Sequence, residues 1–228
     1  MEPLDRSRIA RRAARDIPEG AYVNLGVGIP GLVAGAIPQD RDVILHSENG
    51  ILGLGPRPPE GQEDPEVCDA SKNPVTLRVG ASVFSHSDSF MMVRGGHLDL
   101  ALLGAFEVSQ QGDIANWKAP GSKRAPAVGG AMDLAVGAKA VWVLMDHTTR
   151  DGRPRLLERC SYPLTAAGVV NRIFTNLCVI DVIDGGFVVR EMIPGLSLEA
   201  LQERTGAPLK LDPQWCELRA EAGAHAAA

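Results

Sequence analysis

Aromatic side chains are scarce in this chain of 228 residues, where Phe, Trp and Tyr together make up 4%. No basic patch interleaved with stacking rings stands out, and 23 basic against 28 acidic residues leave a net charge of −5. A nucleic-acid surface needs a basic stripe to replace counterions, so that class is excluded. Cysteine is equally sparse. Cys68, Cys160, Cys178 and Cys216 include no C-x-x-C pair, and no histidine spacing completes a zinc site. They read as reduced thiols of a cytosolic protein, because a chain this long can bury a core without disulfide staples. Long apolar runs are missing as well, and nothing approaches the length of a membrane-spanning helix. The N-terminal MEPLDRSRIARRAARDI alternates charge with alanine and lacks the apolar centre of a signal peptide. These absences predict a soluble, cytoplasmic, globular protein.

What is present reads as alternating strands and helices. Residues 5–16 place Ile9 and Ala13 at helical spacing among arginines, which predicts an exposed amphipathic helix. AYVNLGVG reads as a strand ending in glycines, IPGLVAGAIP as a short helix, and DVILHS as the next strand. That β-α-β unit favours a parallel sheet. Residues 53–74 are rich in Pro, Gly and acids and read as a long loop within the domain. PVTLRVG then reads as a strand, SHSDS as a polar turn, FMMV as a short helix and LDLALLGAF as a strand, with 107–127 loop-like. GGAMDLAVG opens a helix; KAVWVLMD, TNLCVIDVI and FVVREMI are strand-like; Ser197 caps a further helix in PGLSLEALQERTG. The fold class expected is α/β, a single-domain open and largely parallel sheet with flanking helices over residues 1–215, with 216–228 as a frayed tail.

Several motifs carry chemistry on paper. Gly26-Val-Gly28-Ile-Pro-Gly31 is a literal G-x-G-x-x-G after a strand, and Glu48 ends the second strand where a dinucleotide fold would place its ribose acid. The short, proline-bounded helix cramps that crossover, and NGILGLGP leads into a proline-rich loop instead of a second helix. Glycines serving only a tight turn explain the segment equally well. SHSDS holds Ser, His and Asp too close together to converge as a triad. Asp146-His147 lacks further metal ligands, so a hydrogen-bonded structural histidine is expected. Arg150, Arg153, Arg155 and Arg159 read as a solvated face that could also meet phosphates or carboxylates. Gly129 and Gly130 precede a helix, where their amides could face an oxyanion or simply permit close packing.

Taken in order, NLGVGIP, SENGILGLGP, SFMMVRGGHLDLALLGA, GDIANW, GGAMDL and RCSYPLT resemble the class I CoA-transferases, in particular the beta subunits of the 3-oxoacid and 3-oxoadipate enzymes. The resemblance runs from about residue 5 to 210 and implies a CoA-transferase-like fold. Ala127-Val128 stands where the family commonly has Gly-Met, and Gly31 where threonine is common; these departures bear on the acceptor more than on the reaction class. The resemblance makes Glu48 the nucleophile that carries CoA as a glutamyl thioester. It places Asn24, Gly26, Gly28, Gly129 and Gly130 at the substrate and CoA site. It also implies no metal or redox cofactor, CoA thioester being substrate, and a separate alpha subunit in an α2β2 assembly. Succinyl-CoA is the implied donor and a 3-oxo acid the acceptor, 3-oxoadipate before acetoacetate. Two rival readings remain: a sugar-phosphate isomerase or thioesterase using Glu48 as a general base, and a nucleotide-binding module using the glycine loop.

Overall fold

Asp5 starts the first helix, its carboxylate accepting the Arg8 N–H at 2.7 Å and satisfying one of the free amides of the first turn. The fold is given by a computed structural model that describes residues 2–121 and 126–219. In chain order the first half contains α1 (Arg6–Asp16), β1 (Tyr22–Leu25), a 3-10 helix (Pro30–Ala36), β2 (Ile44–Ser47), β3 (Ile51–Leu54), β4 (Leu77–Val83), α2 (His86–Arg94), β5 (Leu100–Leu103), β6 (Glu107–Ser109) and β7 (Ile114–Ala115). The second half contains α3 (Ala131–Gly137), β8 (Ala140–Met145), β9 (Leu156–Leu157), β10 (Val170–Thr175), β11 (Cys178–Ile183), β12 (Gly186–Met192), α4 (Leu198–Gln202) and β13 (Leu209–Glu217).

Ten strands form one sheet in the order β13-β12-β11-β10-β8-β5-β1-β2-β3-β4, and β7-β6-β9 form a small second sheet. The centre, from β10 through β8, β5 and β1 to β2, is parallel; β11 and β12 on one flank and β3 and β4 on the other run antiparallel to their inner neighbours. All four residues of β5 are buried, as expected of a strand covered on both faces. The expected open, largely parallel sheet with flanking helices is therefore present.

Local departures have physical causes. The helix expected to be exposed buries Ile9, Ala10, Arg12, Ala13 and Ala14 against the 3-10 helix and the sheet. SHSDS is not a separate turn but the start of α2: Ser85 accepts the Asp88 N–H at 3.1 Å and donates to the Asp88 carboxylate at 2.8 Å. The stretch 107–127 holds β6 and β7 within its loops. The tail does not begin at 216, because Cys216 and Glu217 pair with Glu191 and Met192, and Leu218 is buried. The rest of the expected tail, 220–228, lies outside the described residues.

Charged residues on one face lock α1 to the sheet. Arg12, only 5% exposed, donates to Glu191 at 2.8 Å and to Asp16 at 2.6 Å. Arg172 bridges Asp16 at 2.8 Å and Asp181 at 2.5 Å, and Arg190 joins Asp181 at 2.7 Å and pairs with Asp212. This chain of ion pairs ties α1, β10, β11, β12 and β13 together. Burial opposes the ionisation of Asp181, but hydrogen bonds and charge from Arg172 and Arg190 outweigh it and hold its carboxyl below the ordinary 3.8. The stabilisation is thus fully present above the unfolded value and is lost as pH falls through the lower folded one. Asp181→Asn should lower the urea unfolding free energy at pH 7 by about 2 kcal/mol, less than for a fully buried pair because the arginines keep some water. The gap to the unmodified protein should close as the medium is acidified below pH 3.8. A gap that stays constant or widens would remove this network from the stability of the fold.

Candidate active site

The parallel strands β2, β1, β5 and β8 end on the same side of the sheet. Their following loops enclose a cavity of about 610 Å³ lined by Gly26, Gly28, Glu48, Phe106, Gly129, Gly130 and others. The chain leaves β1 towards β2 on one side, while β5 joins β1 on the other. Loops diverge at such a switch in strand order, and open parallel sheets place their ligand crevices there.

Glu48 sits at the tip of a β2–β3 hairpin, not at the entry to a second crossover helix. Ser47 pairs with Ile51, the Gly50 N–H closes the turn on the Ser47 carbonyl at 3.0 Å, and Gly50 adopts φ +116°. A Cβ at residue 50 would lie 2.1 Å from the Phe84 carbonyl oxygen, so only glycine lets the turn pack against the start of α2. The Glu48 side chain points to the loop before α3. A Cβ at residue 130 would lie 2.4 Å from Glu48 Oε2 and 2.7 Å from Phe90 Cζ. Gly130 is therefore where the carboxylate meets bare backbone. Burial raises the Glu48 pKa above the ordinary 4.5; His86 lowers it and Asp133 raises it further.

The two glycine loops are built differently. Gly26 lies against β5, its N–H donating to the Leu102 carbonyl at 2.8 Å, and a Cβ there would approach that oxygen to 3.0 Å. Gly28 and Gly129 have φ of +91° and +56°, with open space where a Cβ would be. The expected Gly26, Gly28, Glu48, Gly129 and Gly130 thus share one cavity wall. Asn24 does not join them. It is 2% exposed, and its amide donates to His46 Nδ1 at 3.0 Å and to the His46 carbonyl at 3.3 Å. The parallel register pairs Asn24 with His46, which holds the amide beneath the cavity.

That bond identifies residues the sequence did not single out. With Nδ1 accepting from Asn24, the His46 proton lies on Nε2 and is donated to Ser89 Oγ at 2.9 Å, linking β1, β2 and α2. Burial pushes the His46 pKa down to about 4, so the ring is a neutral prop next to Glu48 in the chain. Phe90 packs against Gly130, and its ring lies 4.7 Å from that of His86. The Ser-x-x-Asp cap at 85–88 was the available signal for this helix; nothing in the spacing announced the His46 contact. His147 is the expected structural histidine, fully buried with Thr175 and Thr205 hydroxyls 3.2 and 2.9 Å from its two ring nitrogens.

Titration of the Glu48 carboxyl, followed by carbon-13 NMR, should give a midpoint above 4.5. Asp133→Asn should move it downward by removing a like charge, and His86→Ala upward. A midpoint at or below the ordinary value, or an upward move in Asp133→Asn, would contradict the electrostatics described.

Known proteins share both the sequence and the fold that produce this geometry. Residues 6–204 match the family described as Coenzyme A transferase. The chain is 53% identical over 206 residues to the beta subunit of the 3-oxoadipate CoA-transferase of Acinetobacter baylyi, covering 90% of this chain and 95% of that protein. It is 44% identical over 206 residues to the corresponding subunit of the succinyl-CoA:3-ketoacid coenzyme A transferase of Helicobacter pylori, covering 90% and 99%. The fold is similar to the crystal structure of an acyl-CoA transferase from Escherichia coli O157:H7, with a TM-score of 0.74 at 22% identity. That superposition covers 96% of this chain but spans only 45% of the E. coli chain. The family match, nearly the full length of the described fold, shows that this chain belongs to the coenzyme A transferases.

Proposed function

We propose that this chain is the glutamate-bearing beta subunit of a two-component transferase that moves CoA from succinyl-CoA to a 3-oxo acid, with 3-oxoadipate favoured and acetoacetate next. The observation that carries this is the Glu48 carboxylate standing at the cavity wall, close enough to Gly130 to exclude any side chain there. Acceptor preference follows the 53% identity to a 3-oxoadipate enzyme against 44% to a 3-ketoacid enzyme.

The chemistry balances with a carboxylate alone. Glu48 attacks the thioester carbonyl of the acyl-CoA, forming a mixed anhydride and releasing CoA thiolate. The thiolate then attacks the glutamyl carbonyl, giving an enzyme–CoA thioester and free succinate. The acceptor carboxylate attacks that thioester, and the thiolate released takes the acceptor's acyl carbon, restoring Glu48. Two half-reactions through one covalent intermediate give ping-pong kinetics. The amides of Gly129 and Gly130 are the donors for the oxyanions formed at each step, since no side chain screens them. A raised Glu48 pKa makes the carboxylate more basic, which favours attack while burial limits competing water. No metal or redox group is needed, and CoA thioester is substrate, not cofactor. The partner is an alpha subunit in an α2β2 assembly acting in the cytoplasm; among the described residues no helix is long and apolar enough to cross a membrane.

Intact mass after incubation of the chain and its alpha subunit with acyl-CoA should show one CoA adduct, mapped to Glu48. Turnover without an adduct would favour the general-base readings, and NAD binding without an adduct the nucleotide module. Glu48→Asp, one methylene short, should slow adduct formation by about 100-fold or more. Gly130→Ala should do the same while leaving thermal stability near normal, because its Cβ meets only the ends of the Glu48 and Phe90 side chains. A Gly130→Ala enzyme of full rate would show that this contact does not serve the reaction.

A further inference from the structure

A carboxylate that enters a half-closed cavity loses water and requires a cation or several donors in exchange. The proposed substrates pose this problem twice. Succinyl and 3-oxoadipyl groups each carry a second carboxylate that takes no part in the transfer at Glu48. Among the described residues, Arg6 and Arg155 are the cations on the wall of the Glu48 cavity. Arg6 lies 3.9 Å from Asp146, and its side chain is 68% exposed at the rim.

Arg155 is placed differently. Its N–H donates to the His147 carbonyl at 3.2 Å and its carbonyl accepts the Val108 N–H at 3.0 Å, so its backbone is pinned between the end of β8 and β6. The residue is half-buried, yet among the described residues its guanidinium has no carboxylate within salt-bridge distance. The neighbouring Arg153, by contrast, is spent on Asp151 at 2.7 Å. Arg155 and Phe106 also line a second cavity of about 390 Å³, so the two spaces meet at this guanidinium. A half-buried, pinned and unpaired arginine on the wall of a substrate cavity has the chemistry of a carboxylate receptor, since its planar fork binds both oxygens at once.

We propose that Arg155 is the specificity-determining residue of the acyl subsite, receiving the far carboxylate of the dicarboxylic acyl group carried by donor and acceptor. This rests on the reading of Glu48 as nucleophile. An acyl group without a second carboxylate gains nothing from Arg155, which separates this role from one in binding CoA.

The test uses the two-subunit enzyme and measures the rate of enzyme–CoA formation from succinyl-CoA and from acetoacetyl-CoA. Arg155→Ala and Arg155→Gln should slow the reaction with succinyl-CoA by about 10- to 100-fold, the loss of a charge-assisted pair, and leave that with acetoacetyl-CoA unchanged. Arg155→Lys should recover part of the succinyl-CoA rate. The acetoacetyl-CoA rate also reports whether each variant is folded. Equal losses with both donors would assign Arg155 to CoA binding or to the fold and overturn the proposal. No loss with either donor, or the same discrimination in Arg6→Ala instead, would overturn it as well. Failure of the unmodified enzyme to form an adduct with either donor is a separate outcome, which removes the Glu48 reading and this inference with it.

Discussion

The Glu48 carboxylate fills the space that a side chain at residue 130 would need. This contact constrains both segments at once. It requires the β2–β3 hairpin to present its glutamate towards α3, and it requires the loop before α3 to offer bare backbone at the same point. Gly50 makes the first possible by turning tightly against Phe84, and Gly130 makes the second possible by having no Cβ. The same geometry half-buries an acid beside amide groups, and such an environment raises the carboxylate's basicity and concentrates donors where negative charge develops.

The sheet supplies the rigidity that such a contact needs. Glu48 follows directly on β2, whose His46 is neutral, buried and bonded on both ring nitrogens to Asn24 and Ser89. Those bonds fix the end of β2 to β1 and α2, so the hairpin tip cannot drift relative to the helix that carries Phe90. Asn24 therefore serves the cavity from beneath. At the far side of the sheet, the arginine–carboxylate chain from Glu191 through Arg12, Asp16, Arg172 and Asp181 to Asp212 anchors α1 over β10 to β13. Arg155 lies between these regions, where the small sheet of β7, β6 and β9 meets the cavity.

Apolar runs and glycines made much of this legible in the sequence. The β1, β2, β5 and β8 strands are nearly continuous hydrophobic segments, and the glycines that end β1 or precede α3 mark where backbone must approach ligand or neighbour. Elements whose residues serve long-range contacts were less visible. In β10, Asn171 and Arg172 interrupt the apolar pattern because they bond the Val141 amide and Asp181. In β13, Lys210, Asp212 and Pro213 disguise an edge strand, where a missing N–H is tolerated. Asn24 was expected at the ligand because a sequence shows which loop a residue precedes but not which way its side chain turns. Arg155 was visible only as one of four nearby arginines; the fold separates it from Arg153 by giving Asp151 to the latter.

The central claim, that Glu48 itself accepts and returns the acyl group, has an isotopic signature. Acceptor acid labelled with oxygen-18 in its reacting carboxylate leaves one labelled oxygen on Glu48 after the first turnover, and the next succinyl group removes it. Multiple turnovers in unlabelled water should therefore place oxygen-18 in the released succinate and transiently on the Glu48 peptide. Succinate containing only oxygen from water or from the original thioester, with no label at Glu48, would contradict nucleophilic catalysis by this residue.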